Sequence, residues 1–557
     1  MKKVINSIKN FIINNKWFII TLIVCFIVCS PFAIWYIRGD DTYFHIINIT
    51  AYGKSNIFSK ILNWSQHGLG SGIGIFYPPL PHMLGGIIMH LGFSNIIAIK
   101  FVKVFTIFLS SLFMYFLSKE IYEDSKKAMF SSIFYITSSY FLVNVFVRDV
   151  INESFIFVAM PLIYLGIYKL FYKNDKKMFI FLFSIGYIIM IYSHLVLTVF
   201  FTILLFIFLL INIKKLFSNK NIIYFIISAV IILIFTSTFT VPLIEHLIVG
   251  KWHLPPAYKW TFPIKGYFVL QMFRSGSNGL IYVYIPFIMY VLIAFGIYTM
   301  NHNKKNISNK PFLLGVILIG FVAMILTGFD FFWDHCPKFL LNIQLTCRLA
   351  CFVVFSFSLF VPAGLDAIYN FFKKKYSYVL TIILLLLVIY NINFNFKKFK
   401  FQRNVEYNGN YHEDYVPKKS HLKSEKLIYS VNPEKIEIKK GNGDLKTYNI
   451  DTTHIKFTVD NIEDNIVLQI PRFYYLGYQI KDSKGNEYNY DINNLGLIEL
   501  NLSKNDTYDI KYTGTKYYKI CLIAKYSMLI ILTTFLLFLK VNRKNKKRTK
   551  FDKSLHL

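Results

Sequence analysis

Cysteine is sparse and badly placed for a covalent scaffold. Of the six cysteines, Cys25, Cys29, Cys347, Cys351 and Cys521 lie in or beside apolar runs, and only Cys336 falls in a clear loop. A disulfide framework and paired zinc spacing are therefore both excluded. Acidic residues are also few, 30 against 61 Lys plus Arg. Arginine is rare within that basic excess, and Arg38, Arg148, Arg274 and Arg348 stand near the ends of apolar runs. A planar guanidinium there either holds phosphate or carboxylate, or simply anchors a helix end. No Walker loop, GxGxxG in strand context, HExxH or CxxC…CxxC pair occurs, so ATP hydrolysis and NAD chemistry have no support. No solenoid repeat is visible.

What is plentiful is apolar sequence. The chain has 557 residues and is 55% hydrophobic, and several runs exceed the roughly 18 residues that read as a membrane span. This predicts an α-helical polytopic membrane protein of about 12 transmembrane helices. The net charge of +31 would suggest nucleic acid in a soluble protein. Here the lysines cluster in short segments between spans, as retained cytoplasmic loops do, so no nucleic-acid partner is expected. Abundant Lys, Ile, Asn and Phe also fit an AT-rich genome. The apolar run to Ile37 is too long for a signal-peptide core and has no small-residue cleavage site, which predicts an uncleaved anchor.

Spans are expected near 17–37, 96–118, 128–147, 154–172, 178–193, 195–213, 222–242, 280–300, 311–329, 347–370, 376–393 and 519–540. With the amino terminus cytoplasmic, alternation puts the lysine clusters around 119–127, 173–177, 214–220, 304–310, 373–375 and the carboxyl-terminal tail on the same side. The loop 38–95 is then external. Within it Met83–Gly92 is too short to cross and reads as a re-entrant or interfacial helix, approached by the stiff Pro78-Pro79-Leu80-Pro81. Residues 1–393 form the expected transmembrane domain. From 394 to 518 long apolar runs give way to short alternating ones, such as His454-Ile455-Lys456-Phe457-Thr458-Val459. These predict an extracytoplasmic β-sandwich-like domain before the last span and basic tail, 519–557.

The polar residues that this topology gathers on the external face are the candidates for chemistry. Asp40 and Asp41 are adjacent in the first loop, flanked by Arg38 and His45. One of them can serve as a general base, and one can equally cap the helix expected at 42–52. Asp149 and Glu153 are four apart beside Arg148, a spacing that suits a divalent cation such as Mg or Mn, or an interfacial ion pair. Gln344 and Arg348 are one turn apart where a lipid phosphate would arrive. His194 follows Ser193 in a tight turn and is weaker as a ligand.

At these residues the chain resembles the GT-C superfamily of polytopic glycosyltransferases. More narrowly it is similar to bacterial membrane proteins labelled 6-pyruvoyl-tetrahydropterin-synthase-related. The matching pieces are Gly39-Asp40-Asp41-Thr42-Tyr43-Phe44-His45, Gly74-Ile75-Phe76-Tyr77-Pro78-Pro79-Leu80-Pro81, Arg148-Asp149-Val150-Ile151-Asn152-Glu153, Ser193-His194, Ile343-Gln344-Leu345-Thr346-Cys347-Arg348 and Pro471-Arg472-Phe473-Tyr474-Tyr475-Leu476-Gly477-Tyr478. Two departures stand out: Leu345-Thr346-Cys347 replaces an aromatic-Pro-Trp, and the second loop is short. The pterin label is not a function here, because the zinc-binding His cluster is missing.

The resemblance implies sugar transfer from a polyprenyl-phosphate donor to an extracytoplasmic glycan, lipid or protein acceptor. Asp40 or Asp41 would be the base. Arg38, His45, Tyr77, Arg148, His194, Gln344 and Arg348 would hold donor phosphate or substrate, and Asp149 and Glu153 a metal. Direct attack assisted by one carboxylate implies inversion. The alternatives are a carrier or flippase of lipid-linked sugars, and a non-catalytic envelope scaffold. Carriers usually place charge at mid-membrane and show repeated halves, which this chain does not.

Overall fold

The computed structural model describes residues 13–34, 36–37, 39–255, 259–260, 287–302, 309–371, 401–402, 414–421, 430–450 and 454–534, with four isolated positions between 379 and 389. The chain is a multi-span helical membrane protein with a β-sheet domain late in its sequence. Among the described residues six helices are long and apolar enough to cross a membrane: Lys16–Ala33, Asn95–Tyr122, Ile151–Lys173, Ile213–Val249, Thr346–Tyr369 and Lys516–Thr534. The pair Ser125–Ile136 and Ser139–Arg148, bent by 50°, makes a seventh. The expected spans 178–193, 195–213 and 311–329 are helices of 16, 17 and 17 residues. At about 1.5 Å per residue they fall just short of a ~30 Å hydrocarbon core. The expected span 376–393, apart from four isolated helical positions, and the tail after Val541 lie outside the described residues.

Two compact units form, 1–228 with 254–415 and 229–253 with 416–557. The second therefore takes in Ala229–His253, a stretch that the sequence reading placed within the transmembrane domain. In the first unit Ile151–Lys173 and Thr346–Tyr369 are central, each 94% buried over its most apolar stretch. Between the charged residues near their ends they are largely apolar, as suits a helix packed all round. Asn95–Tyr122 and Ser125–Ile136 lock together through small polar residues, with Ser111 Oγ 2.7 Å from Ser132 Oγ and Ser118 Oγ 2.9 Å from Ser131 Oγ. Short serine side chains let two backbones approach and satisfy each other's hydroxyls without water.

The first loop is folded rather than extended. Helices Thr42–Gly53 and Leu80–His90 cross so closely that a Cβ on Gly85 would lie 2.7 Å from Ile49 Cγ1. Ile46 and Ile49 pack with Ala98, Ile99, Val102, Ile151 and Phe155 beneath them. Leu80–His90 buries Pro81, His82, Gly85 and Gly86 and exposes Ile87 and, just beyond it, Leu91. At 11 residues it is too short to cross a membrane.

The second unit is a sandwich of two four-stranded antiparallel sheets. Its strands are β1 Glu437–Lys440, β2 Asp444–Ile450, β3 His454–Asp460, β4 Ile466–Phe473, β5 Tyr478–Lys481, β6 Asp491–Ile492, β7 Leu497–Leu502 and β8 Asp506–Tyr512. One sheet runs β6-β7-β4-β1 and the other β2-β3-β8-β5. The alternation legible in the sequence becomes a shared core of Phe457, Val459, Leu468, Ile470, Leu500, Tyr508 and Ile510. The stretch 229–253 is built into it. Trp252 Nε1 donates to the Tyr474 carbonyl at 3.0 Å, its ring stacks on Tyr475, and the Leu476 amide donates to His246 Nε2 at 3.2 Å.

Phe457 is 1% exposed, so Phe457→Ala is expected to destabilise the sandwich by about 3–5 kcal/mol. Limited proteolysis of the full chain in detergent reads this as accelerated cleavage between 437 and 512.

Candidate active site

The site is organised by what happens where the bent pair ends. The last turn, Val143–Arg148, is π-helical, and Asp149 follows in the left-handed region at φ 61°. This reversal points Arg148 back along its own helix and starts the next span, whose first turn carries Asn152 and Glu153. Glu153 is 1% exposed. Its carboxylate accepts from the Tyr140 hydroxyl, from Asn144 Nδ2 at 2.8 Å and from Arg148 Nη1 at 3.0 Å, and lies 3.4 Å from Arg348 Nε. A buried carboxylate is tolerable only when ion-paired and hydrogen-bonded to this degree. Arg348 is fixed in turn by the Ile343 carbonyl at 2.8 Å and Gln344 Oε1 at 3.4 Å. Two guanidinium groups thus share one carboxylate.

The second loop also grips the first. The Asp40 amide donates to the Val147 carbonyl at 3.1 Å and the Asp41 amide to the Arg148 carbonyl at 2.9 Å. Asp149 pairs with Lys103 Nζ at 2.7 Å and accepts from the Thr42 hydroxyl, which itself accepts from the Gly39 amide at 2.7 Å. Only glycine fits at 39, since a Cβ there would lie 2.5 Å from Asp149 Cβ and 2.6 Å from the Val147 oxygen.

This clasp separates the two first-loop acids. Asp40 is exposed, while Asp41 is half-buried and starts the helix Thr42–Gly53 without making a side-chain capping bond. Its carboxylate is free for other work. Burial raises its proton affinity above that of an ordinary Asp, the charges of Arg148 and Arg348 pull the other way, and Asp40 and Glu153 add to the rise. Tyr77 lines the same region, edge-on to Phe44 at 5.1 Å and 5.9 Å from Tyr415. Its phenol is held protonated by burial and then by Asp41.

His194 caps the helix Leu195–Ile211, its Nδ1 accepting from the Leu197 amide at 3.2 Å. Burial, and next the Arg348 charge, pull its pKa down to about 3. The turn that carries it is pinned by Asn152 Nδ2, which donates to the Ser193 and Pro78 carbonyls at 3.0 and 2.7 Å. His45 is buried at 1%, with Nδ1 2.9 Å from His82 Nε2. Burial first, then His82 and Lys103, hold it neutral. It ties the two first-loop helices together rather than presenting a cation.

Arg38 lies outside the described residues. Arg148, Glu153, Gln344, Arg348, His194 and Asp41 are brought together. Asp149 and Glu153 are not: one is taken by Lys103 and Thr42, the other by Arg148, Arg348, Asn144 and Tyr140. The pair expected to hold a divalent cation therefore does not fit one, and no cluster of three His, Cys, Asp or Glu suited to a metal occurs among the described residues.

Sequence reading missed Lys103, Tyr140 and Asn144. Tyr140, Asn144 and Arg148 recur every four residues, a helical stripe that could have been read. Lys103 is a charge inside an apolar span, which is a signal of function in its own right.

No family model and no curated protein matches the chain. Among solved structures it is similar to the crystal structure of ArnT from Cupriavidus metallidurans bound to undecaprenyl phosphate, at 9% identity and a TM-score of 0.39. The likeness covers 63% of this chain and 60% of that one.

Two outcomes are expected from stability measurements. Lys103→Met and Asp149→Asn each strand a buried partner and cost about 3–5 kcal/mol, and the double variant recovers part of that loss. His45, with its proton affinity lowered on folding, gives stability that is complete above the unfolded-state value near 6.5 and is lost as pH falls below it. The melting temperature in detergent should therefore drop on acidification through that value, and drop less in His45→Asn.

Proposed function

We propose that the chain is a membrane glycosyltransferase of the GT-C type, moving a sugar from a polyprenyl-phosphate donor to an acceptor hydroxyl outside the membrane with inversion. The observation that carries this reading is the placement of Asp41: a half-buried carboxylate with no capping bond, acted on by two guanidinium groups that share a single carboxylate between them. Such a site offers a base beside a surplus of positive charge.

In this mechanism Asp41 takes the proton from the acceptor hydroxyl as the oxygen attacks the anomeric carbon. The bond from that carbon to the phosphate oxygen breaks, and the phosphate leaves with the electron pair. Once Asp41 is protonated it no longer offsets Arg148 and Arg348, and their charge is freed to stabilise the departing phosphate at the moment it forms. Guanidinium groups fixed in advance by Glu153, Gln344 and the Ile343 carbonyl need no reorganisation to do this. Phe44, Tyr77 and Tyr415 form an aromatic wall beside the base on which a sugar ring can stack.

Lys103, Asp149 and Thr42 hold the first loop in place and touch no substrate. No step is assigned to a divalent cation, because both carboxylates that would bind one are engaged by protein cations.

Purified protein given polyprenyl-phospho-sugars should release lipid phosphate, followed by mass spectrometry. Asp41→Asn is expected to lower turnover about 10²- to 10⁴-fold without changing the melting temperature, while Asp40→Asn keeps most of it. The acid limb of the turnover profile should lie above the ordinary Asp value of about 3.9. Turnover should survive chelation. Full activity in Asp41→Asn would overturn the assignment of the base, and no release of lipid phosphate by the wild type would favour a carrier or scaffold.

A further inference from the structure

We infer that the base of the β-sandwich carries a cationic collar, formed by Lys251, Lys418, Lys419, Lys516 and Lys519, that docks on the headgroups of anionic phospholipids. The collar belongs to the second unit alone and is independent of the glycosyltransferase reading.

Two span ends set its level. The span Ile213–Val249 stops just short of Lys251, while Lys516–Thr534 opens on Lys516 and carries Lys519 in its first turn. Here the two are tied together, because the Thr515 hydroxyl donates to Glu245 Oε2 at 2.6 Å. The Lys418 amide donates to the Lys251 carbonyl at 2.9 Å, which brings Lys418 and Lys419 to the same base. All five side chains are exposed. Ammonium groups at the ends of apolar spans stand at the depth of the lipid phosphates.

The protein does not neutralise these charges. Among the described residues none of the five makes an ion pair: Lys251 Nζ lies 5.0 Å from the Tyr474 ring centroid, and Lys419 Nζ donates to the Ile492 carbonyl at 3.0 Å. Like charges gathered on one surface repel, and a negative surface opposite them turns that cost into attraction. The basic bias of one membrane side covers Lys214, Lys215 and Lys220 before the span Ile213–Val249, and so leaves the lysines beyond its other end without that explanation. A bilayer suits the collar better than a soluble polyanion. Tyr517, 62% exposed, sits between Lys516 and Lys519, and the exposed Ile520 and Ile523 follow directly on the same span, so cationic and lipid-facing surfaces are continuous.

The test reads lipid at the collar itself. Full-length protein with a photo-crosslinking p-benzoylphenylalanine in place of Tyr517 is put in nanodiscs of equal parts phosphatidylglycerol and phosphatidylcholine, and the captured lipids are weighed by mass spectrometry. The native lysines are expected to favour phosphatidylglycerol by about three- to tenfold at low salt. The preference should fall toward parity at about 1 M salt, where screening acts within ~3 Å. It should also fall toward parity when Lys251→Gln, Lys418→Gln, Lys419→Gln, Lys516→Gln and Lys519→Gln are combined, with the melting temperature unchanged. Combining Lys214→Gln, Lys215→Gln and Lys220→Gln should leave it intact.

Equal capture of the two lipids with the native lysines present overturns the collar. If inorganic polyphosphate then binds that protein and not the five-lysine variant, the partner is a soluble polyanion instead. A preference that survives the five substitutions or high salt overturns it as well, since these charges would then not be its source. So does an equal loss in the 214, 215 and 220 variant, which would mean an effect of net charge rather than of this surface. Turnover of any sugar donor bears on none of these outcomes, so the collar and the proposed activity stand or fall separately.

Discussion

A carboxylate with almost no access to water has to be neutralised where it stands, and Glu153 shows what that demand organises. It draws Arg148 back from the end of the preceding helix and Arg348 from the start of a span some two hundred residues later in the chain. It also takes a hydroxyl from Tyr140 and an amide from Asn144. Removing any one partner leaves an imperfectly compensated charge in a poor solvent for it, at a cost of several kcal/mol. The cluster is therefore worth little as net stability and a good deal as geometry. It fixes where two guanidinium groups sit before any ligand arrives.

A second buried pair works with it on the other side of the same turn. Lys103 and Asp149 hold Thr42, and Thr42 holds Gly39, so the residues between them have little freedom. Asp41 emerges from this arrangement with its backbone committed and its carboxylate uncommitted. The four acids divide accordingly: Asp149 and Glu153 are neutralised by protein cations, Asp40 is exposed, and Asp41 keeps a carboxylate that makes no capping bond.

Much of this was legible in the chain itself. Apolar runs located most of the spans, alternation at 454–459 located a strand, and the Pro-rich approach to a short apolar segment located the helix Leu80–His90. The acids, Arg148, His194, Gln344 and Arg348 were also visible as a set. What sequence spacing could not supply was the partner of each charge. Asp149 and Glu153, four apart, suggest one helical face, but the left-handed residue at 149 turns them toward different cations. Nothing local announces that reversal, and the room for it is left by a glycine more than a hundred residues earlier. Lys103 was hidden for another reason: in a lysine-rich chain one more lysine attracts no notice. The stretch 229–253 read as the end of a span at 222–242 and the residues after it, because its place against the sandwich depends on Trp252 and His246 meeting Tyr474, Tyr475 and Leu476, a pairing across more than two hundred residues.

That last pairing bears on how such proteins can diversify. Glu245 accepts the Thr515 hydroxyl at 2.6 Å, the Trp252 region pairs with Pro417, and the rings of 252 and 475 lie nearly parallel. The sandwich is thus a discontinuous module written in two separated stretches of the gene. Recombination that exchanged only the later stretch would deliver a β-domain with an open seam where an indole belongs. Lineages carrying different versions of this module are expected to have inherited both stretches together, or to have reworked the seam residue by residue.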